Sequence, residues 1–168
     1  VHQILKGIAD TRIPVVVDAD GLKAMASSGV TLDPTTSILT PHWGELGVLL
    51  DTKLGDGSDL DERLRRATEG AVKFNSTILL KGPIDIIVGP DGRHKRNHTG
   101  CPAMTVGGTG DVLTGIAAAF LARELGAFRA ASAAAFASGK AGEEAFEKFG
   151  NHITATDCIE ALPSVLNR

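Results

Sequence analysis

Only two cysteines, Cys101 and Cys158, occur in 168 residues. They stand far apart, so no disulfide framework of a small secreted scaffold is implied. The longest apolar stretch, around Ile116–Ala122, is far short of the ~20 residues that span a bilayer. No charged-then-apolar signal segment opens the chain. Charge of one sign is also missing: the formal net charge is −3, which gives nucleic acid no electrostatic footprint to follow. The single basic run, Arg93–Arg96, reads as a solvated strand end. No repeat or low-complexity segment is present, and a cytoplasmic, reducing setting is the default expectation.

What remains has the make-up of one globular domain, with 43% hydrophobic and 22% charged residues and enough length for a sizeable core. "IPVVVDAD" (13–20) is a continuous β-branched run ending in carboxylates, as in a strand buried on both faces. "GLKAMASSG" (21–29) reads as a short helix closed by Gly29. Residues 36–41 read as a second strand and 42–50 as a helix. Leu60, Leu64, Ala67, Ala71 and Phe74 recur at helical spacing. Residues 76–82 and 84–89 suit strands, and a "GPDG" turn leads to a third strand over 93–97. Two alanine-rich helices are expected at 109–124 and 128–149, and a last one at 156–162 with Thr156 as N-cap.

Strands alternating with helices predict an α/β layered sheet with a hairpin-like insertion over 84–97. Ligands of such sheets gather beyond the carboxyl ends of the strands. That directs attention to Asp18, Asp20, His42, Lys81 and the loop before Thr109.

The loop "GGTGD" (107–111) allows two readings. Its glycines let the backbone approach a ligand closely, and the helix that follows offers unpaired N–H groups and a positive dipole end. Together these suit the charge of a transferring phosphoryl group, with Asp111 as the base for an attacking hydroxyl. Equally, the stretch is a turn before a core helix. It is neither of two commoner phosphate motifs: no lysine follows the glycines and no G-x-G-x-x-G occurs.

"VVVDADGL", "LTPHWGE", "LLKGPIDII", "NHTGCPAMTVGGTGDVLTGI" and "GKAGEEA", in that order, resemble the NAD(P)H-hydrate dehydratase family of the ribokinase-like superfamily. The wording of the glycine segment is closest to archaeal members. The resemblance spans residues 13–163 and implies a ribokinase-like layered sheet flanked by helices, forming one domain over 1–168. It implies repair of hydrated NADH and NADPH, in which ADP or ATP phosphorylates the ring hydroxyl and loss of phosphate restores the double bond. By the same resemblance, Gly108, Thr109 and Gly110 belong to the anion hole and Asp111 is the base that touches substrate. His42 contacts the dinucleotide. Lys81, Gly82, Pro83, Ile84 and Asp85 line the nucleotide phosphates, with Gly110 and Asn97 beside them. Glu45 would organise Mg²⁺ through water.

Departures from the family wording are Trp43 in "HWGE" and Cys101 and Ala103 in "TGCPAM". No N-terminal half of the domain precedes Val1, so a fragment, a truncation or association with a missing piece is expected, or a homo-oligomer. One sheet edge should then be uncovered. The alternatives are a ribokinase-like small-molecule kinase and an inactive fragment or subunit. Trp43 is expected to pack rather than stack on adenine. His94, His98 and His152 are expected at the surface, and Cys101 lacks the partners of a nucleophile.

Overall fold

The computed structural model describes residues 1–167; Arg168, at the end of the expected domain, lies outside the described residues. Five strands form a single sheet: β1 (Val15–Val17), β2 (Ser37–Leu39), β3 (Thr77–Leu80), β4 (Asp85–Val88) and β5 (His94–Asn97), in the order β1-β2-β3-β4-β5. β1, β2 and β3 run parallel, and β3, β4 and β5 are antiparallel. The expected insertion is therefore a hairpin that continues the same sheet. Its outer strand exposes His94, Lys95 and Arg96, a charged edge that discourages pairing with other chains. At the opposite edge β1 pairs with β2 alone.

Strand residues alternate between two cores, because successive side chains leave a strand on opposite faces. Leu39, Ile78, Leu80, Ile86 and Val88 pack with four helices on one face. These helices are α1 (His2–Ala9), α2 (Asp20–Ser28), α3 (Trp43–Leu50) and α4 (Leu60–Phe74). Ile38, Leu79 and Ile87 pack on the other face with α5 (Thr109–Ala122) and α6 (Ala127–Phe149). The last helix, α7 (Ala155–Leu166), lies against α6. Alanine richness in α6 now has a cause. Ala130, Ala131, Ala134 and Ala141 have no exposed surface, so the helix approaches its neighbours closely.

Two boundaries differ from expectation. Thr154, not Thr156, caps α7, in a reciprocal capping box with Asp157. The helix also passes through Pro163 to Leu166. Proline forfeits one ladder hydrogen bond there, while Leu162 and Val165 on either side pack against the second core. Helix α1 had no counterpart in the sequence reading.

Among the described residues, no helix is long and apolar enough to cross a membrane. Trp43 packs against the first core and donates its indole N–H to Gly55 O at 2.7 Å. His94, His98 and His152 are exposed.

Candidate active site

The carboxyl ends of β1, β2 and β3 lie side by side and carry Asp18, His42 and Lys81. A parallel bridge joins His42 to Lys81 beyond the regular strands, and the Lys81 N–H reaches Pro41 O at 2.9 Å. The Lys81 ammonium donates to Asp18 Oδ1 at 2.9 Å and lies 3.8 Å from Glu45 Oε2. All three side chains are largely withdrawn from water, at 21% exposure for Lys81, 14% for Asp18 and 15% for Glu45. The Asp18 carboxylate is fully engaged: Oδ1 also accepts from the Ala19 N–H, and Oδ2 accepts from the Thr114 hydroxyl at 3.0 Å. It gives α2 no side-chain cap, the N-cap being Ala19. Asp20, by contrast, is exposed and paired with Lys23.

Between them Ala19 holds φ 48° and ψ −120°, a conformation that L-residues rarely adopt and that collects at functional sites. Neither Ala19 nor Thr114 was singled out by sequence reasoning. For Thr114 the only available signal was its position one helical turn after Asp111.

His42 is the N-cap of α3. Its Nδ1 accepts from the N–H groups of Gly44 and Glu45, at 3.1 and 3.2 Å, and Glu45 Oε2 accepts from the His42 N–H at 2.9 Å. Acceptance at Nδ1 puts the proton of the neutral ring on Nε2, which lies 3.6 Å from Glu45 Oε2 and makes no hydrogen bond with the described residues. The helix-start reading of His42 therefore holds structurally, alongside any binding role. An open pocket of about 250 Å³ is lined by Leu22, Lys23, His42, Gly44, Glu45 and Val48. A larger hollow beside Trp43 and Lys53 includes none of Asp18, Glu45 and Lys81.

Helix α5 begins differently. Its N-cap is Gly108, with φ 93° and no side-chain cap. The Thr109 hydroxyl is turned back to the loop, donating to Met104 O at 2.8 Å and Val106 O at 3.0 Å. Asp111 is exposed in the first turn and makes no hydrogen bond or ion pair with any described residue. A Cβ added to Gly110 would lie 3.7 Å from Lys81 Nζ, so the ammonium stands beside the positive end of the helix. Two positive centres meet at this corner, faced by the carboxylates of Asp18 and Glu45 on Lys81 and of Asp111 on the first turn of α5, and the unpaired helix N–H groups beside the ammonium make it receptive to an anion.

The loop Gly82–Ile84 is held from within. Asp85 accepts from the Gly82 N–H and from Asn97 Nδ2, both at 3.0 Å, and burial pushes its carboxyl above its ordinary value. Asn97 is itself buried; its amide also reaches Ala135 O, and its oxygen accepts from Thr99. These groups are spent on the protein, and what Asp85 and Asn97 hold is the loop itself. Buried Arg63 lies beneath Gly82 and donates to Lys81 O at 3.3 Å. A Cβ on Gly82 would overlap the guanidinium.

Farther back, Gly139 and Gly142 of α6 admit Thr99 and Met104, and Glu143 accepts from the Gly100 N–H. The "GKAGEEA" segment is thus a dock for the loop that leads to the glycines. Cys101 sits in that dock, its thiol 3.7 Å from Gly142 O.

Among the described residues, no three potential ligands converge to cage a metal ion. Asp18 and Glu45 are already committed to Lys81 and to backbone. They suit Mg²⁺ only as outer acceptors for its waters, with a ligand's phosphates supplying the inner oxygens.

Comparison with known proteins gives a consistent result. Residues 1–164 match the family described as NAD(P)H-hydrate dehydratase. A bifunctional NAD(P)H-hydrate repair enzyme of Hyperthermus butylicus is 45% identical over 99% of this chain, which covers 31% of that protein. The solved structure of the ADP/ATP-dependent NAD(P)H-hydrate dehydratase of Bacillus subtilis, co-crystallised with ATP and Mg²⁺, superimposes with a TM-score of 0.84. It is 30% identical, over 99% of this chain and 58% of that one. A ribokinase-like superfamily protein of Enterococcus faecalis superimposes with a TM-score of 0.79 at 26% identity, over 99% and 57%. The fold is accordingly ribokinase-like, and the chain spans about a third of the curated relative's length.

Proposed function

Because the chain belongs to the NAD(P)H-hydrate dehydratase family, we propose that it carries the nucleotide-dependent dehydration of hydrated NADH and NADPH. The observation that carries the reading is the corner formed by α5 and β3. An uncapped helix start, a free carboxylate on its first turn and a largely withdrawn ammonium stand together there.

In this reading Asp111 accepts the proton of the ring hydroxyl as its oxygen attacks the terminal phosphorus of ADP or ATP. The new O–P bond forms as the bond to the leaving nucleotide breaks. Backbone N–H groups of Gly108–Gly110 and the Lys81 ammonium face the charge on the phosphoryl oxygens. Phosphate then departs with the ring C–O bond, a proton leaves the neighbouring ring carbon, and the double bond returns. The balance is hydrate plus nucleotide giving reduced dinucleotide, phosphate and a nucleotide shorter by one phosphoryl group.

His42 Nε2 is the donor we assign to the dinucleotide, and the Lys81–Asp85 loop is assigned to the nucleotide phosphates. Mg²⁺ bound with those phosphates would neutralise part of their charge, with Glu45 accepting from its waters. A single domain over 1–168, association with further chain or a second copy, and a cytoplasmic location belong to the same proposal.

The test is incubation of the intact protein with hydrated NADH and ADP or ATP, following the absorbance of reduced nicotinamide. Recovery that depends on nucleotide is the expected result. A stable phosphorylated alcohol without recovery would instead identify a small-molecule kinase, and no consumption of either compound would leave a non-catalytic subunit.

A further inference from the structure

Lys81 is held by a neighbour with no direct place in that chemistry. Asp18 Oδ1 fixes the ammonium at 2.9 Å, and its other oxygen accepts from Thr114 at 3.0 Å. Thr114 follows Asp111 by three residues, which places both on neighbouring positions of one helix face. Thr114, Asp18 and Lys81 therefore join α5 to the ends of β1 and β3 in one line of side chains. An ammonium beside a helix N-terminus is repelled by the dipole, so without this hold it would turn toward solvent.

We propose that Thr114 is a positioning residue for phosphoryl transfer, acting through Asp18 to lock the Lys81 ammonium against the first turn of α5. The proposal rests on the function proposed above, in which Lys81 faces the transferred phosphoryl group. The lock prepares the site before the anion arrives, since the cation is already partly stripped of water and aimed. It also ties the base and the cation to one rigid unit. Misplacement of either by a fraction of an ångström lowers the rate even when nucleotide still binds.

The variants are Thr114→Val, which keeps the shape and removes the hydroxyl, Thr114→Ser, which restores it, and Asp18→Asn. Should valine disturb folding, Thr114→Ala is used in its place. Two quantities are read on the intact protein: kcat and KM for nucleotide in hydrate dehydration, and the rate at which an N-hydroxysuccinimidyl acetate reagent acetylates Lys81, followed by peptide mass spectrometry.

Loss of a hydrogen bond to a charged group predicts that Thr114→Val lowers kcat about tenfold with little change in KM. Lys81 should be acetylated several-fold faster in that variant, and faster still in Asp18→Asn, while Thr114→Ser behaves as wild type. Unchanged kcat in Thr114→Val, whatever the acetylation rate, overturns the proposal. If the wild-type protein does not dehydrate the hydrate, the functional reading fails by itself, and acetylation alone then decides the lock. Equal labelling of Lys81 in wild type and Thr114→Val would overturn it.

Discussion

Helices α3 and α5 both start beyond the carboxyl ends of parallel strands, yet they finish their first turns in opposite ways. At α3 the chain supplies its own partners: His42 takes two backbone N–H groups and Glu45 takes a third. At α5 the cap is Gly108, the hydroxyl of Thr109 faces away, and no side chain among the described residues occupies the N–H groups. A capping box satisfies orphan donors locally and stabilises the helix. A glycine cap leaves them available and moves the cost to the rest of the fold. What differs between the two starts is thus where the partner comes from, the chain itself or a ligand.

The sharpest break of this comparison is Asp111→Asn. Removing a general base costs about 10²–10⁴-fold in kcat, and ADP binding measured by calorimetry should stay near wild type. Retention of most activity would remove Asp111 from its proposed role.

Gly108→Ala comes next. A left-handed residue other than glycine costs roughly 1–2 kcal/mol, and the added Cβ would stand 3.0 Å from that of Ala155. Denaturant titration should show that loss together with weaker nucleotide binding, because the N–H groups would move.

A smaller effect separates the two roles of His42. Asparagine caps helices well, so His42→Asn should keep stability within about 0.5 kcal/mol, whereas His42→Ala should lose about 1 kcal/mol. Both should raise KM for the hydrate, which the asparagine variant alone ties to the lost Nε2.

The smallest effect belongs to Asp85, whose carboxyl is raised by burial against the opposing hydrogen bonds of Asn97 and Gly82. A carboxylate raised in the native state adds stability at low pH, and that contribution is lost as pH climbs through its folded value. Wild type minus Asp85→Asn should therefore show stability falling across the mildly acidic range. A difference that rises there would put the sign of the burial effect in doubt.

The sequence was most informative where periodicity and end signals coincide. The α4 stripe from Leu60 to Phe74, the Gly29 stop of α2 and the β-branched runs at Val15–Val17 and Thr77–Leu80 all recur as elements. The cap of α7 was misplaced by two residues because Thr154 and Thr156 are equivalent as N-cap types, and only the Asp157 partner distinguishes them. Its end was set too early because a proline usually stops a helix, whereas burial of Leu162 and Val165 carries this one further. Helix α1 was missed, being short and held by contacts of Leu5 and Ile8 with the first core.

At the site, residue types and order pointed to His42, Lys81, the glycines and Asp111. Nothing local marked Ala19, Arg63 or Thr114, whose roles depend on partners between eighteen and ninety-six residues away or on backbone strain. Local chemistry is written in the chain itself: which segments are strands, where helices start, and that glycines precede an acidic first turn. These follow from short-range sterics and apolar spacing. Only the tertiary structure decided that Asp85 and Asn97 turn inward, that Glu143 braces the glycine loop from α6, and that one carboxylate joins Lys81 to Thr114. The two bonds of that carboxylate cross 63 and 96 residues, and they exist because packing two helical layers on one sheet brings the strand ends together.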